Sequence, residues 1–195
     1  MKTVCLDPGH GPGCVNGAPD GSYKEFEFAW DISWRMEAHL KRCGVRVVVT
    51  REEAGYPSLA ERAACSDRAG ADLFLSLHSN ASGGGGWSQP RGLLAYTSAA
   101  GEDAPRNRAA RAILARLAEE GIALRGAGLA HNAYTVLVRT SAPAVLMEYG
   151  FHTSREDVAD LKRPAYRARL ALATARGVCD FLGIPWAEES GEAPW

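Results

Sequence analysis

Apolar and polar positions alternate along this chain in two rhythms. Short apolar or β-branched runs, Val4-Cys5-Leu6, Val45-Arg46-Val47-Val48-Val49 and Leu73-Phe74-Leu75-Ser76-Leu77, are separated by longer stretches with apolar residues three to four positions apart. The first rhythm predicts strands and the second amphipathic helices, and their alternation predicts βαβ units around a largely parallel sheet. Phe28, Ile32, Met36 and Leu40 stand at four-residue spacing, so a helix is expected over about 24–43, stopped by Gly44. Ser58, followed three residues on by Glu61, is a capping box that opens a helix over 59–69. The pattern then predicts a strand at 92–97, a helix at 104–120, a strand over Tyr134-Thr135-Val136-Leu137-Val138, a buried strand over Ala144-Val145-Leu146-Met147 and a closing helix at 164–182. Ser82-Gly83-Gly84-Gly85-Gly86-Trp87-Ser88-Gln89-Pro90 reads as a surface loop. The fold class expected is α/β: one three-layer domain over 1–184, its mostly parallel sheet of about six strands flanked by helices, with 185–195 as a C-terminal tail.

Composition narrows the functional classes. A chain of 195 residues with 46% hydrophobic and 23% charged residues can bury a core and is not disordered. Twenty-two basic against 23 acidic side chains leave a net charge of −1, which excludes the basic footprint of a nucleic-acid binder. No run of about 18 apolar residues is present to enter a membrane. Met1-Lys2-Thr3-Val4-Cys5-Leu6-Asp7-Pro8 lacks the apolar core of a secretory signal, so synthesis in the cytoplasm is expected. The five scattered cysteines, Cys5, Cys14, Cys43, Cys65 and Cys179, contain no C-x-x-C pair and are expected to be reduced thiols.

In an open α/β sheet, ligands collect beyond the carboxyl ends of the strands. His10 follows the first strand, His78 the third and Glu148 the last apolar one. Two imidazoles and one carboxylate form a catalytic zinc ligand set, with the fourth position left to water. Glu25, in the first turn of the first helix, is well placed as the third ligand, and Glu27 is its rival. The two stand about 200° apart around a helix, so regular structure admits only one of them. Glu148, directly after a buried strand, is a candidate for proton transfer, because desolvation raises a carboxyl pKa. Cys14 is a weaker ligand candidate in a Gly/Pro-rich loop. His39, His131 and His152 have less to recommend them, although the His131 loop is within reach of a substrate. By default a histidine in a Pro-Gly-His-Gly turn is a surface residue and Glu25 and Glu27 a solvated helix face; convergence at one sheet edge is what argues otherwise.

Four blocks in order resemble the zinc-dependent N-acetylmuramoyl-L-alanine amidases (type 3 catalytic domain). They are Leu6-Asp7-Pro8-Gly9-His10-Gly11; Glu25 near a helix start, then Val49-Thr50-Arg51 with Leu59 and Arg62; Ala71-Asp72-Leu73-Phe74-Leu75-Ser76-Leu77-His78-Ser79-Asn80-Ala81; and Pro143-Ala144-Val145-Leu146-Met147-Glu148-Tyr149-Gly150-Phe151. The resemblance extends from about Val4 to Leu182. Pro8 and Pro12 depart from the family's first block, and His152-Thr153-Ser154 replaces the commoner Leu-Ser-Asn after the last.

The resemblance implies that His10, Glu25 and His78 hold one Zn²⁺ and that Glu148 is the catalytic carboxylate. It supports Glu25 over Glu27, because Trp30 fills the apolar place five positions after the family's ligand Glu. The activity implied is hydrolysis of the amide between the lactyl group of N-acetylmuramic acid and the L-Ala of the stem peptide in peptidoglycan. Metal-activated water attacks, and Glu148 serves as general base and then acid. Asn80, Trp87 and His131 are expected to touch the substrate, with the loops 83–90 and 126–131 lining its groove. The alternatives are a zinc peptidase or carboxypeptidase acting within the stem peptide, and a non-catalytic wall-binding module. The roles that fit are phage endolysin, autolysin or sporulation amidase. A monomer is expected that acts on the bacterial wall after release by lysis or a holin, with no nucleic-acid partner and no membrane insertion. The segment between Gly92 and Tyr134 is too short for a long occluding helix, so an open site is expected.

Overall fold

The structure is a computed structural model that describes residues 1–99 and 101–188; the predicted tail lies outside these from residue 189 on. Six strands form one sheet in the order β2-β1-β3-β6-β4-β5. They are β1 (Thr3–Pro8), β2 (Arg46–Val49), β3 (Leu73–Asn80), β4 (Leu93–Thr97), β5 (Leu124–His131) and β6 (Ala144–Phe151). All neighbours run parallel except β4 and β6. The helices are α1 (Glu25–Arg42), α2 (Leu59–Ala69), α3 (Pro105–Glu119), α4 (Thr135–Arg139), α5 (Arg155–Leu161) and α6 (Pro164–Leu182). This is the α/β domain expected, with a mostly parallel six-stranded sheet between helices.

Strand alternation divides the core in two. Val4, Leu6, Leu73, Leu75, Leu77, Val145, Met147 and Tyr149 join the large cluster formed with α1, α3 and α6. Cys5, Phe74, Ala144 and Leu146 face the other way and pack with Val136 and Leu137 of α4. Asp7, Ser76, His78 and Glu148 continue that second set, each at even spacing from its apolar members. They carry the second face onward as a polar region at the carboxyl ends of β1, β3 and β6.

Local signals explain most element ends. Ser58 and Glu61 form both bonds of the capping box at the start of α2, and Gly70 ends that helix in the left-handed conformation. Three elements differ from the sequence reading, among them the short helix α5, which that reading does not contain. The β-branched stretch 134–138 is not a strand: Thr135–Arg139 is a single helical turn, with Thr140 Oγ1 donating to the Val136 carbonyl at 2.7 Å. A run of five residues cannot express a helical period, so its composition misleads. The missing strand is β5, where Gly126 and Gly128 sit at φ 57° and 77° and the register against β4 shifts between Leu93 and Ala95. Its glycines mask it in sequence. Past α6 the chain folds back onto the domain: Trp186 packs against the large cluster, and Ala187 accepts from Arg42 Nε at 3.2 Å.

Candidate metal centre and active site

His10 sits just beyond β1 at φ 57°, the one non-glycine residue with positive φ among those described. That conformation costs roughly 1–2 kcal/mol for a side-chain-bearing residue, and Arg62 holds it in place by donating from Nη2 to the His10 carbonyl at 2.7 Å. Arg62 Nη1 donates in addition to the Pro8 carbonyl and to Asp7 Oδ1, each at 2.8 Å. Gly9 lies against the His78 ring so closely that a Cβ there would run into it. A side chain between Pro8 and His10 would therefore displace the His78 ring.

Glu25 opens α1 and reaches over the end of β3. Its Oε1 accepts from the Ser79 backbone N–H at 3.0 Å and lies 2.9 Å from His78 Nδ1; its Oε2 lies 3.2 Å from His10 Nε2. The His10 and His78 rings meet edge to face with centroids 4.9 Å apart. One ligand atom from each of His10, Glu25 and His78 falls within 4.8 Å of the others. Burial by itself would raise the Glu25 pKa, but the two histidines facing the carboxyl outweigh it and hold it well below its usual range. Glu25 Oε2 is buried without a hydrogen-bond partner. Two imidazoles and an ionised carboxylate around such an orphaned oxygen suit a borderline-soft divalent cation such as zinc. Glu27, the rival, is exposed and pairs with Lys24 at 3.3 Å.

Glu148 pairs in register with His78 across β3 and β6. It is buried, its Oε2 has no partner, and burial first and the charge of Glu25 second push its pKa well above the ordinary carboxylate value. All four residues line one cleft of about 910 Å³, together with Asn80 and Tyr134. The cleft walls come from 56–59 and 133–136. Trp87 and His131 lie elsewhere. Trp87 packs against the large cluster under the Arg155 guanidinium, 4.2 Å from its ring, and His131 Nδ1 meets Thr97 Oγ1 at 2.9 Å at the end of β5. Cys14 is half-buried in a turn, its N–H donating to Gly11. His39 is buried on α1 beside Arg42 and Trp186.

Sequence reasoning gave little weight to His152, which is buried and lines the cleft. Its Nδ1 is 3.1 Å from Ser79 Oγ, which accepts from the Tyr23 hydroxyl, and 3.8 Å from Glu25 Oε2. Burial lowers its pKa. Its place directly after the Glu-x-Gly-Phe block was the available signal. For Tyr134 there was none, because the turn that brings it to the cleft is set by packing on β6. Of the segment between β4 and α4, α3 packs against α6 on the far side of the sheet and does not line the cleft.

A model of the N-acetylmuramoyl-L-alanine amidase family matches residues 4–180. N-acetylmuramoyl-L-alanine amidase LytC of Bacillus subtilis (strain 168) is 32% identical over 180 residues, 92% of this chain and 35% of LytC, so the chain spans little more than a third of that relative. The endolysin of Bacillus phage SPP1 is 33% identical over 199 residues, 99% of this chain and 70% of the endolysin. The solved catalytic domain of CwlV, an N-acetylmuramoyl-L-alanine amidase from Bacillus (Paenibacillus) polymyxa var. colistinus, matches with a TM-score of 0.83. It is 26% identical, over 95% of this chain and 100% of that one. The family match runs from β1 into α6 and takes in every strand of the sheet and all four cleft residues. On that ground the chain belongs to the N-acetylmuramoyl-L-alanine amidases, a family of cell-wall hydrolases.

Proposed function

We propose that this chain is a zinc-dependent amidase domain that cleaves the bond between the lactyl group of N-acetylmuramic acid and the L-Ala of the stem peptide in peptidoglycan. One observation carries the reading: the His10, Glu25 and His78 donor atoms lie within 4.8 Å of one another in the same cleft as a buried, partnerless carboxylate, Glu148. His10, Glu25 and His78 would hold the zinc. When bound, the ion supplies a Lewis acid for the scissile carbonyl and acidifies a water molecule.

The remaining chemistry belongs to side chains. Glu148 takes the proton of the attacking water on its free Oε2 and passes it to the amide nitrogen as the bond to L-Ala breaks, which balances hydrolysis to a lactyl carboxylate and a free amine. Its raised pKa makes it a stronger base than an ordinary carboxylate, the direction this exchange needs. Ser79 N–H fixes Glu25 Oε1 and so leaves Oε2 for the centre. Asn80 and the 56–59 and 133–136 walls would receive the sugar and peptide. We assign the site an open, constitutively active form, because α3 packs away from it.

The test is digestion of purified cell walls with wild type and Glu148→Gln, with mass spectrometry of the products and zinc analysis of both proteins. Intact stem peptides with an L-Ala amino terminus are expected from wild type alone, and one zinc per chain from both. Shorter fragments would move the cut into the stem peptide. Binding without cleavage would make the chain a wall-binding module.

A further inference from the structure

Asp7 takes no part in the chemistry above, yet it is 1% exposed and both its oxygens are engaged. Oδ1 accepts from Thr50 Oγ1 at 2.5 Å and from Arg62 Nη1 at 2.8 Å, while Oδ2 accepts from Ser76 Oγ at 2.6 Å. Two of these partners lead on to different histidines. Arg62 Nη2 donates to the carbonyl of His10, the residue held at positive φ. Ser76 Oγ lies 3.1 Å from His78 Nε2. Proton counting decides the direction of this last bond. Ser76 donates its only hydroxyl proton to Asp7, so its oxygen can only accept, and Nε2 of His78 must carry the hydrogen. With the Nε2 hydrogen held by Ser76, Nδ1, 2.9 Å from the acceptor-only Glu25 Oε1, is the ring nitrogen left to give up its proton and offer a lone pair to a metal.

We infer that Asp7 is a positioning residue for the whole centre, holding the His78 ring through Ser76 with Nδ1 toward the metal and pinning the main chain of His10 through Arg62. The inference rests on the zinc reading of His10, Glu25 and His78. It adds that one buried carboxylate orders two ligands which arrive on separate strands. A merely structural Asp7 would balance the buried Arg62 charge and have no bearing on the tautomer of His78. Outer partners of ligand histidines are worth about 10–100-fold in metal affinity.

The experiment measures zinc affinity by chelator competition for wild type, Ser76→Ala and Asp7→Asn, together with nitrogen-15 histidine spectra of the zinc-loaded wild type. Zinc affinity is expected to fall about 10–100-fold in both variants, and the His78 spectrum to place the proton on Nε2. Asp7→Asn also leaves Arg62 without its buried counter-charge and risks misfolding. Ser76→Ala keeps that pair intact, so it decides the matter alone. Affinity of Ser76→Ala within twofold of wild type, or a His78 proton on Nδ1, overturns the inference while leaving the zinc reading standing. A wild type that takes up no zinc overturns both, before any variant is compared.

Discussion

Under α1, α3 and α6 the sheet is apolar over most of its length: Val4, Leu6, Leu75, Leu77, Val145, Met147 and Tyr149 are all buried against the long helices. On the opposite face the same strands begin apolar, with Cys5, Phe74, Ala144 and Leu146, and end polar, with Asp7, Ser76, His78 and Glu148. The difference follows from the cover. An 18-residue and a 19-residue helix exclude water from the first face, whereas an 11-residue and a five-residue helix leave the strand ends of the second open as a cleft. Partnerless buried oxygens on Glu25 and Glu148 are tolerated at that edge, although an unsatisfied polar group costs about 1–3 kcal/mol. The apolar face supplies stability, and the polar edge uses some of it to hold groups ready for chemistry.

The sharpest way to break this contrast is Glu148→Gln. Amide cleavage is expected to fall about 10²–10⁴-fold with zinc retained and no loss of thermal stability; wild-type turnover in this variant would remove Glu148 from proton transfer. On the opposite face, Ile113→Ala in α3, fully buried between sheet and helices, should destabilise the fold by about 2–5 kcal/mol in a denaturant titration. Turnover per folded molecule should be unchanged, and a matching loss of turnover would show that the two faces are not independent.

The pH dependence of the chelator-treated protein separates the faces further. Glu148 has a folded pKa well above its ordinary 4.5, so its contribution to stability is fully present below 4.5 and is lost as pH rises through the folded value. Glu148→Gln should flatten that decline, and parallel curves for the two proteins would contradict it. The smallest effect is expected from Ser58→Ala, which removes the α2 cap at the cleft rim. A loss of about 1 kcal/mol is expected, with zinc content unaltered; a large change in zinc uptake would tie α2 to the metal centre.

Much of the site was legible because strand ends are legible. His10, His78 and Glu148 each follow an apolar run, and parallel strands bring such positions to one edge. Glu25 was harder, since a charged residue in a first helical turn has an ordinary explanation; beside the family pattern at Trp30, it is the contacts with His10, His78 and Ser79 that separate it from the exposed Glu27. The residues of the cleft wall were the least legible. Trp87 and His131 are a conspicuous aromatic and a loop imidazole in sequence, yet Trp87 stacks under Arg155 and His131 binds Thr97. The cleft walls come instead from Tyr56, Leu59 and the short α4, whose β-branched composition points to a strand.

By itself the sequence determined the alternation of strands and helices, the caps and stops of α2, the even spacing that puts Asp7, Ser76, His78 and Glu148 on one face, and the family to which these blocks belong. Those features are local, set by periodicities of 2 and 3.6 residues and by single capping residues. Only the tertiary structure decided that Glu25 meets His10 and His78, that 135–139 coils into a helix on β6, that His152 stands beside them, and that Asp7 is linked to both histidines through Arg62 and Ser76. Each of these depends on contacts between residues far apart in the chain, such as Glu25 with His78 or Asp7 with Ser76. Such contacts form only when packing brings separate elements together, and local periodicity does not encode them.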